Sequence, residues 1–159
     1  MTTGDHVEVR RQMSAAPDAV YRLVSDVTRM GEWSPETTSC RWLAGAVGPS
    51  VGARFRGANQ SGRHRWSTTC TVVDAEAGRR FGFDVHAGPV AIARWTYEIE
   101  PDGDGCTVTE IWTDRRASWM RRLGTMLTGV GDRATHNQRT METTLERLAE
   151  AAETAGTKA

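Results

Sequence analysis

The sequence predicts an α+β domain: seven antiparallel strands in a curved sheet around a long C-terminal helix, with short helical turns after the first strand. Three observations carry this. Between Ser39 and Asp114 apolar and polar residues alternate with period two, in segments separated by Gly-, Pro- and Asp-rich turns. From Met120 to Ala152 apolar residues recur at steps of three or four, the stripe of a helix with one buried face. The length, 159 residues, suits one domain able to bury a core without disulfide or metal staples.

Each element has a local reason. His6–Met13 alternates Val7, Val9 and Met13, a first strand. Ala16-Pro17-Asp18 then opens a helix, since proline suits the first turn and aspartate the positive helix end. Val20, Leu23, Val24, Val27 and Met30 form its apolar face, Gly31 interrupts it, and Trp33-Ser34-Pro35 follows as a loop. Six strands come next, near 39–44, 53–59, 64–73, 80–86, 92–100 and 107–113. Paired residues of a hairpin face the same way, so each register can be checked for apolar-to-apolar matching. Folding about Pro101–Gly105 sets Ile99 against Val108, Tyr97 against Glu110 and Trp95 against Trp112. A turn at Ala75–Gly78 sets Val72 against Phe81 and Cys70 against Phe83. A turn at Gln60–Gly62 sets Gly57 against Trp66 and Asn59 against His64, and the Gly45–Gly52 loop sets Trp42 against Phe55.

The opposite face reads as arginine and threonine, with Arg41, Arg54, Arg56, Thr96 and Thr109 among others, and with Asp84 and His86 as solvated residues. One wet and one oily face mark an antiparallel sheet covered on one side. The cover is the final helix: Met120, Leu123, Leu127, Val130, Ala134, Asn137, Met141, Leu145, Leu148 and Ala152 make one stripe. Gly124, Gly129 and Gly131 predict a kink or break in its first third. Residues 1–153 thus read as one domain and 154–159 as a frayed tail.

Composition excludes several classes. Lys+Arg and Asp+Glu are both 20, so the basic excess of a nucleic-acid binder is missing. Lys158 is the one lysine, which reads as base-composition bias in the genome. Three distant cysteines form no C-x-x-C, and the four histidines show neither H-x-H nor H-E-x-x-H spacing, so neither metal nor cofactor is expected. The glycines of the 45–52 loop join strand to strand and open no helix that would cradle phosphate. No apolar signal core or spanning run appears, so a cytosolic protein without stable membrane insertion is expected. Its oligomeric state, monomer or homodimer, stays open.

Six tryptophans are many for this length, and most fall on the inward face. A curved sheet lined by Trp42, Trp66, Trp95 and Trp112 has more concave wall than one helix fills, and the remainder would be a pocket for small, flat, apolar ligands. Trp42 reads as core. Trp66, Trp95 and Trp112 read either as core or as pocket wall.

The segments A-P-D-A-V-Y-R-L-V-S-D-V-T-R-M-G-E-W-S-P, G-A-R-F-R-G-A-N, R-W-S-T-T-C and H-N-Q-R-T-M-E-T-T-L-E-R-L together resemble the SRPBCC (START-like, helix-grip) superfamily, in its polyketide cyclase/dehydrase branch. The resemblance covers nearly the whole chain. It implies a helix-grip fold with a cavity between sheet and helix, and it carries over no catalytic residue.

Polar candidates come from the register. Glu110, flanked by Val108 and Trp112 on the inward side, should lie in apolar surroundings that raise its pKa, which suits a general acid/base. It equally reads as a structural carboxyl bonded to Tyr97 or an arginine. Asn59 with His64 would form a polar rim or simple turn chemistry. Asn137 interrupts the helix stripe as a ligand contact or a watered spot, with His136 beside it. Trp33 would close the cavity mouth or anchor its loop. Arg115, Arg116, Arg121 and Arg122 around Trp119 read as a solvated face before they read as a membrane contact. Three functions follow: binding of a small hydrophobic or aromatic molecule, polyketide- or lipid-like; a polyketide cyclase/aromatase or dehydratase using Glu110 and Tyr97; or a protein-interaction module.

Overall fold

The computed structural model describes residues 2, 3 and 5–157. Along the chain lie β1 (Thr2–Thr3), β2 (His6–Met13), α1 (Pro17–Ser25), a 3-10 helix (Val27–Glu32), β3 (Thr37–Trp42), β4 (Arg54–Ser61), β5 (His64–Glu76), β6 (Arg80–Ala87), β7 (Val90–Asp102), β8 (Gly105–Asp114), α2 (Ser118–Thr128) and α3 (Arg133–Thr157). All strands form one antiparallel sheet in the order β1-β2-β8-β7-β6-β5-β4-β3. Strands β2 to β8 are the seven expected from alternation; the two-residue β1 adds to the β2 edge. The seventh strand is recruited by β8: β2 pairs with it along its whole length, from His6 opposite Thr113 to Met13 opposite Cys106.

Two hairpins follow the expected register, with Trp95 opposite Trp112, Tyr97 opposite Glu110 and Trp42 opposite Phe55. Two others slide by two residues. Gly62, at φ +58°, allows a two-residue turn that pairs Ser61 with His64, so Asn59 faces Trp66 and Gly57 faces Thr68. Between β5 and β6, Glu76 pairs with Arg80 across a tight turn, and a bulge between Val72 and Asp74 leaves Val72 opposite Phe83 and Cys70 opposite Val85. A slip of two keeps every side chain on its face, whereas a slip of one would have inverted the sheet. The oily face therefore forms as expected.

The outer face is less wet than its residue types suggest. Asp84 is buried, with Arg94 hydrogen-bonding both its oxygens at 2.6 and 3.0 Å and Arg115 at 2.8 Å. It is a clamped ion rather than a solvated one, and its carboxyl is held below the usual range, chiefly by the Arg94 hydrogen bond. Thr96 and Thr109 are also buried.

On the inner face, α3 packs Met141, Leu145, Leu148 and Ala152 into a core shared with Val7, Val20, Val24 and Phe81. The expected helix is broken at its glycines. Gly129, at φ +72°, ends α2 in a left-handed cap, and Asp132 starts α3 by accepting from the Thr135 amide and hydroxyl. Helix α3 continues through Thr157, so the segment expected to fray is helical that far; 158 and 159 lie outside the described residues. Helix α2 buries none of its residues. Met120, Leu123 and Leu127 thus leave the predicted core stripe and face a hollow.

Candidate ligand cavity

The hollow is a cavity of about 450 Å³ between the concave sheet, α3 and α2. Its depth is marked by buried side chains: Phe55, Phe83 and Tyr97 from the sheet, Met141 and Thr144 from α3. Its mouth is marked by α2, whose Trp119 is 68% exposed and whose Leu127 is 60% exposed while both still line the space. Lining of this kind, mostly apolar with a few polar groups, is what small-molecule sites have.

The structure brings seven of the eight candidate residues together. Asn59, Trp66, Trp95, Tyr97, Glu110, Trp112 and Asn137 all line the cavity. Trp33 does not. It follows the 3-10 helix, is 2% exposed, and packs in the core with the Arg29 guanidinium 5.5 Å from its ring centre, so it anchors its loop. Trp42 packs edge-on against Phe55, with ring centres 5.6 Å apart. His64 is not the partner of Asn59; it sits at the β4–β5 turn beside Gly129. The Asn59 side-chain oxygen lies 3.5 Å from the Thr37 hydroxyl, and His136 places Nε2 2.8 Å from the Glu36 carboxylate.

Glu110 is the exceptional group. It is 2% exposed, and the Tyr97 hydroxyl donates to its Oε1 at 2.9 Å. Its Oε2 has no hydrogen-bond partner. The other such buried side-chain atom among the described residues, Arg80 Nε, still lies 3.4 Å from an Asp74 carboxylate oxygen on the outer face. An ionised carboxylate taken out of water without a cation costs several kcal/mol, so the group holds its proton instead. Burial pushes the Glu110 carboxyl up to about 8, against the opposing pull of the Tyr97 hydrogen bond. Burial, and then the neighbouring Glu110, push the Tyr97 phenol well above its ordinary value. The pair is therefore neutral at pH 7, with the carboxyl proton free to reside on Oε2.

Two polar clusters flank the mouth, and sequence reasoning missed both. Arg116 lines the cavity but spends its guanidinium on Asp114, at 2.9 and 2.7 Å, while Arg121 of α2 reaches the same carboxylate at 3.5 Å. Burial would raise Asp114, but the Arg116 hydrogen bonds outweigh it and hold the carboxyl low. On the opposite wall Glu36 accepts from Arg133 at 2.8 Å, and Arg133 lies 5.8 Å from the centre of the Trp66 ring. Glu36 and Arg133 stand 97 positions apart, and no spacing in the sequence links them. Among the described residues, no three His, Cys, Asp or Glu side chains converge to hold a metal ion, and no helix is long and apolar enough to cross a membrane.

A curved antiparallel sheet gripping a long helix, with a lined hollow between them, defines a helix-grip protein of the START-like SRPBCC superfamily. Residues 5–153 match the family described as polyketide cyclase / dehydrase and lipid transport, and the chain belongs to that family. No curated protein matches the sequence. Among solved structures, a polyketide-cyclase-like protein from Corynebacterium glutamicum is 31% identical, with 96% of this chain and 92% of that one covered at a TM-score of 0.56. A protein from Nitrosomonas europaea is 15% identical over 99% of both chains, with a TM-score of 0.70. A major latex-like protein from Panax ginseng shares 11% identity over 92% of this chain and 96% of its own, also at 0.70. The last two are similar in fold alone.

Proposed function

We propose that this protein binds a small hydrophobic or aromatic molecule, polyketide- or lipid-like, in the cavity between sheet and α3. The observation that carries the reading is the cavity itself: about 450 Å³ left unfilled although the core around it is closely packed. Closing such a space with side chains would gain stability, so a standing hollow favours a guest. Binding rests on apolar burial, worth roughly 25 cal/mol per Å² before association entropy is charged. Trp66, Trp95 and Trp112 supply wall, Asn59 supplies a polar rim, and the buried Asn137 supplies a polar contact from α3. The family's description, which includes lipid transport, supports the same reading. The protein acts in the cytosol and needs no cofactor.

Titrating the protein with N-phenyl-1-naphthylamine, while following energy transfer from tryptophan, tests this. Saturable transfer with a rise in melting temperature is expected. No transfer and no thermal shift would overturn it.

One observation favours a second reading, cyclase or dehydratase chemistry: a neutral carboxyl at Glu110, held by Tyr97, lines the space where a folded poly-β-ketone would lie. Under that reading Glu110→Gln abolishes turnover and spares folding; unchanged turnover removes Glu110 from the mechanism.

A further inference from the structure

We infer that helix α2, with the β4–β5 turn beside it, is a docking surface for an anionic phospholipid bilayer and lies flat on the headgroups without spanning them. The chain is neutral as a whole, yet its charge is unevenly spread. No acid occurs from Thr37 to Val73, a stretch with five arginines, nor from Arg115 to Gly131, a stretch with four. The two stretches meet in the fold: a Cβ added at Gly129, the cap of α2, would lie 2.7 Å from the His64 ring of the β4–β5 turn. Part of this charge is spent, because Arg115 answers Asp84 while Arg116 and Arg121 answer Asp114. Arg63 and Arg65 on the turn and Arg122 on α2 are exposed and have no ion-pair partner among the described residues.

Of the six large apolar side chains left exposed among the described residues, four belong to the same helix: Trp119, Leu123, Met126 and Leu127. Their steps of three and four make one stripe, and Arg122 stands on its flank. Met126 is 76% exposed and does not line the hollow, so the stripe continues past the mouth onto the surface. A folded protein partner suits it poorly. The 11-residue helix is about 16 Å long and roughly 10 Å across, whereas a stable protein interface covers roughly 800 Å² on each side. A bilayer needs no matching surface: apolar side chains enter the acyl boundary, an indole settles at headgroup level, and arginines stay with the phosphates. With no acid on α2 or the turn, a negative leaflet meets attraction along the whole face.

Flotation of the full chain with vesicles tests this, using phosphatidylcholine alone or mixed with phosphatidylglycerol. The chain should float with the mixed vesicles at low salt, stay behind with the neutral ones, and be released near 1 M salt, where the Debye length is about 3 Å. Arg63→Gln and Arg122→Gln should each weaken binding about fivefold, the worth of one cation at an anionic surface. Met126→Gln keeps the charge, loses the apolar contact, and should weaken binding about tenfold. Arg147→Gln, on an exposed position of α3 about 20 Å along the helix from its start, should change nothing. No flotation, flotation weakened as much by Arg147→Gln as by Arg122→Gln, or flotation indifferent to Met126→Gln overturns the proposal. A dimer in sedimentation that Met126→Gln dissolves assigns the stripe to a second copy and overturns it too. Neither Arg122 nor Met126 lines the cavity, so the guest-binding reading stands or falls separately.

Discussion

Replacing Glu110 by glutamine isolates the cost of its burial, because the amide keeps the shape and the Tyr97 hydrogen bond but cannot ionise. In the folded chain the carboxyl keeps its proton up to about pH 8; in the unfolded chain it releases it near the ordinary 4.5. Between those values the native state binds one proton more than the unfolded state, so the group's contribution falls as pH rises. It is fully present below pH 4.5 and lost by the time pH has passed 8. The slope is about 1.4 kcal/mol per pH unit, and the whole interval is worth about 5 kcal/mol. Tyr97 keeps its proton throughout, since its phenol is raised well above 10, and the Arg116 guanidinium is taken up by Asp114 rather than by Glu110. Urea unfolding of both proteins at pH 5.5, 6.5 and 7.5, followed by tryptophan fluorescence, measures the difference. The stability of Glu110→Gln relative to the parent should grow by about 1.4 kcal/mol for each pH unit. Any fixed penalty of the buried amide cancels from this slope, as do all other titrating groups. Parallel stability curves would refute the reasoning, since they require a carboxyl that ionises alike in both states.

Three further outcomes follow from other sites. Gly57→Leu projects into the cavity from β4, where an added Cβ meets Cys40, Thr68 and Asn59 at ordinary contact distances; naphthylamine binding should weaken at least tenfold while urea stability holds or rises by about 1 kcal/mol. Asp114→Ala strands Arg116 and Arg121 and should cost about 3 kcal/mol in the same unfolding assay. Because the Asp114 carboxyl is held below its usual value, the stability it confers is present above pH 3.8 and is lost on further acidification. Gly129→Ala forces a Cβ into the left-handed region and against the His64 ring, and should lower stability by about 1–2 kcal/mol as read by thermal melting.

The faces of the sheet were legible because parity is robust: the β4–β5 and β5–β6 hairpins each slid by two, and Trp66, Cys70 and Phe83 still point inward. Exact partners were not, since a bulge at Val72/Asp74 and a turn as short as Gly62-Arg63 leave no period to count. Glu110 with Tyr97 could be read because both lie in the one hairpin whose turn, rich in Gly, Pro and Asp, fixes its own centre. Trp33 stayed open between mouth and anchor because an aromatic before Ser-Pro looks the same whether it tucks in or hangs out; its burial is decided by α1 and β3, which pack around the 3-10 helix. Of the clusters at the mouth, Glu36 with Arg133 joins elements 97 positions apart and only tertiary closure creates it, whereas Asp114 with Arg116 and Arg121 closes locally where β8 passes into α2.

Helix α2 hangs from the Asp114 clamp at one end and the Gly129 cap at the other, and buries none of its own residues. Because the buried core holds no residue of α2, uncovering the hollow is a local opening, distinct from unfolding the sheet and α3. Under the binding reading, exchanging Leu123 or Leu127, which line the hollow yet are half-exposed or more, should lengthen or shorten a guest's residence with little effect on whether the chain folds. Retention time and foldability are independently adjustable in this architecture, a separation that a single unbroken helix across the hollow would have forbidden.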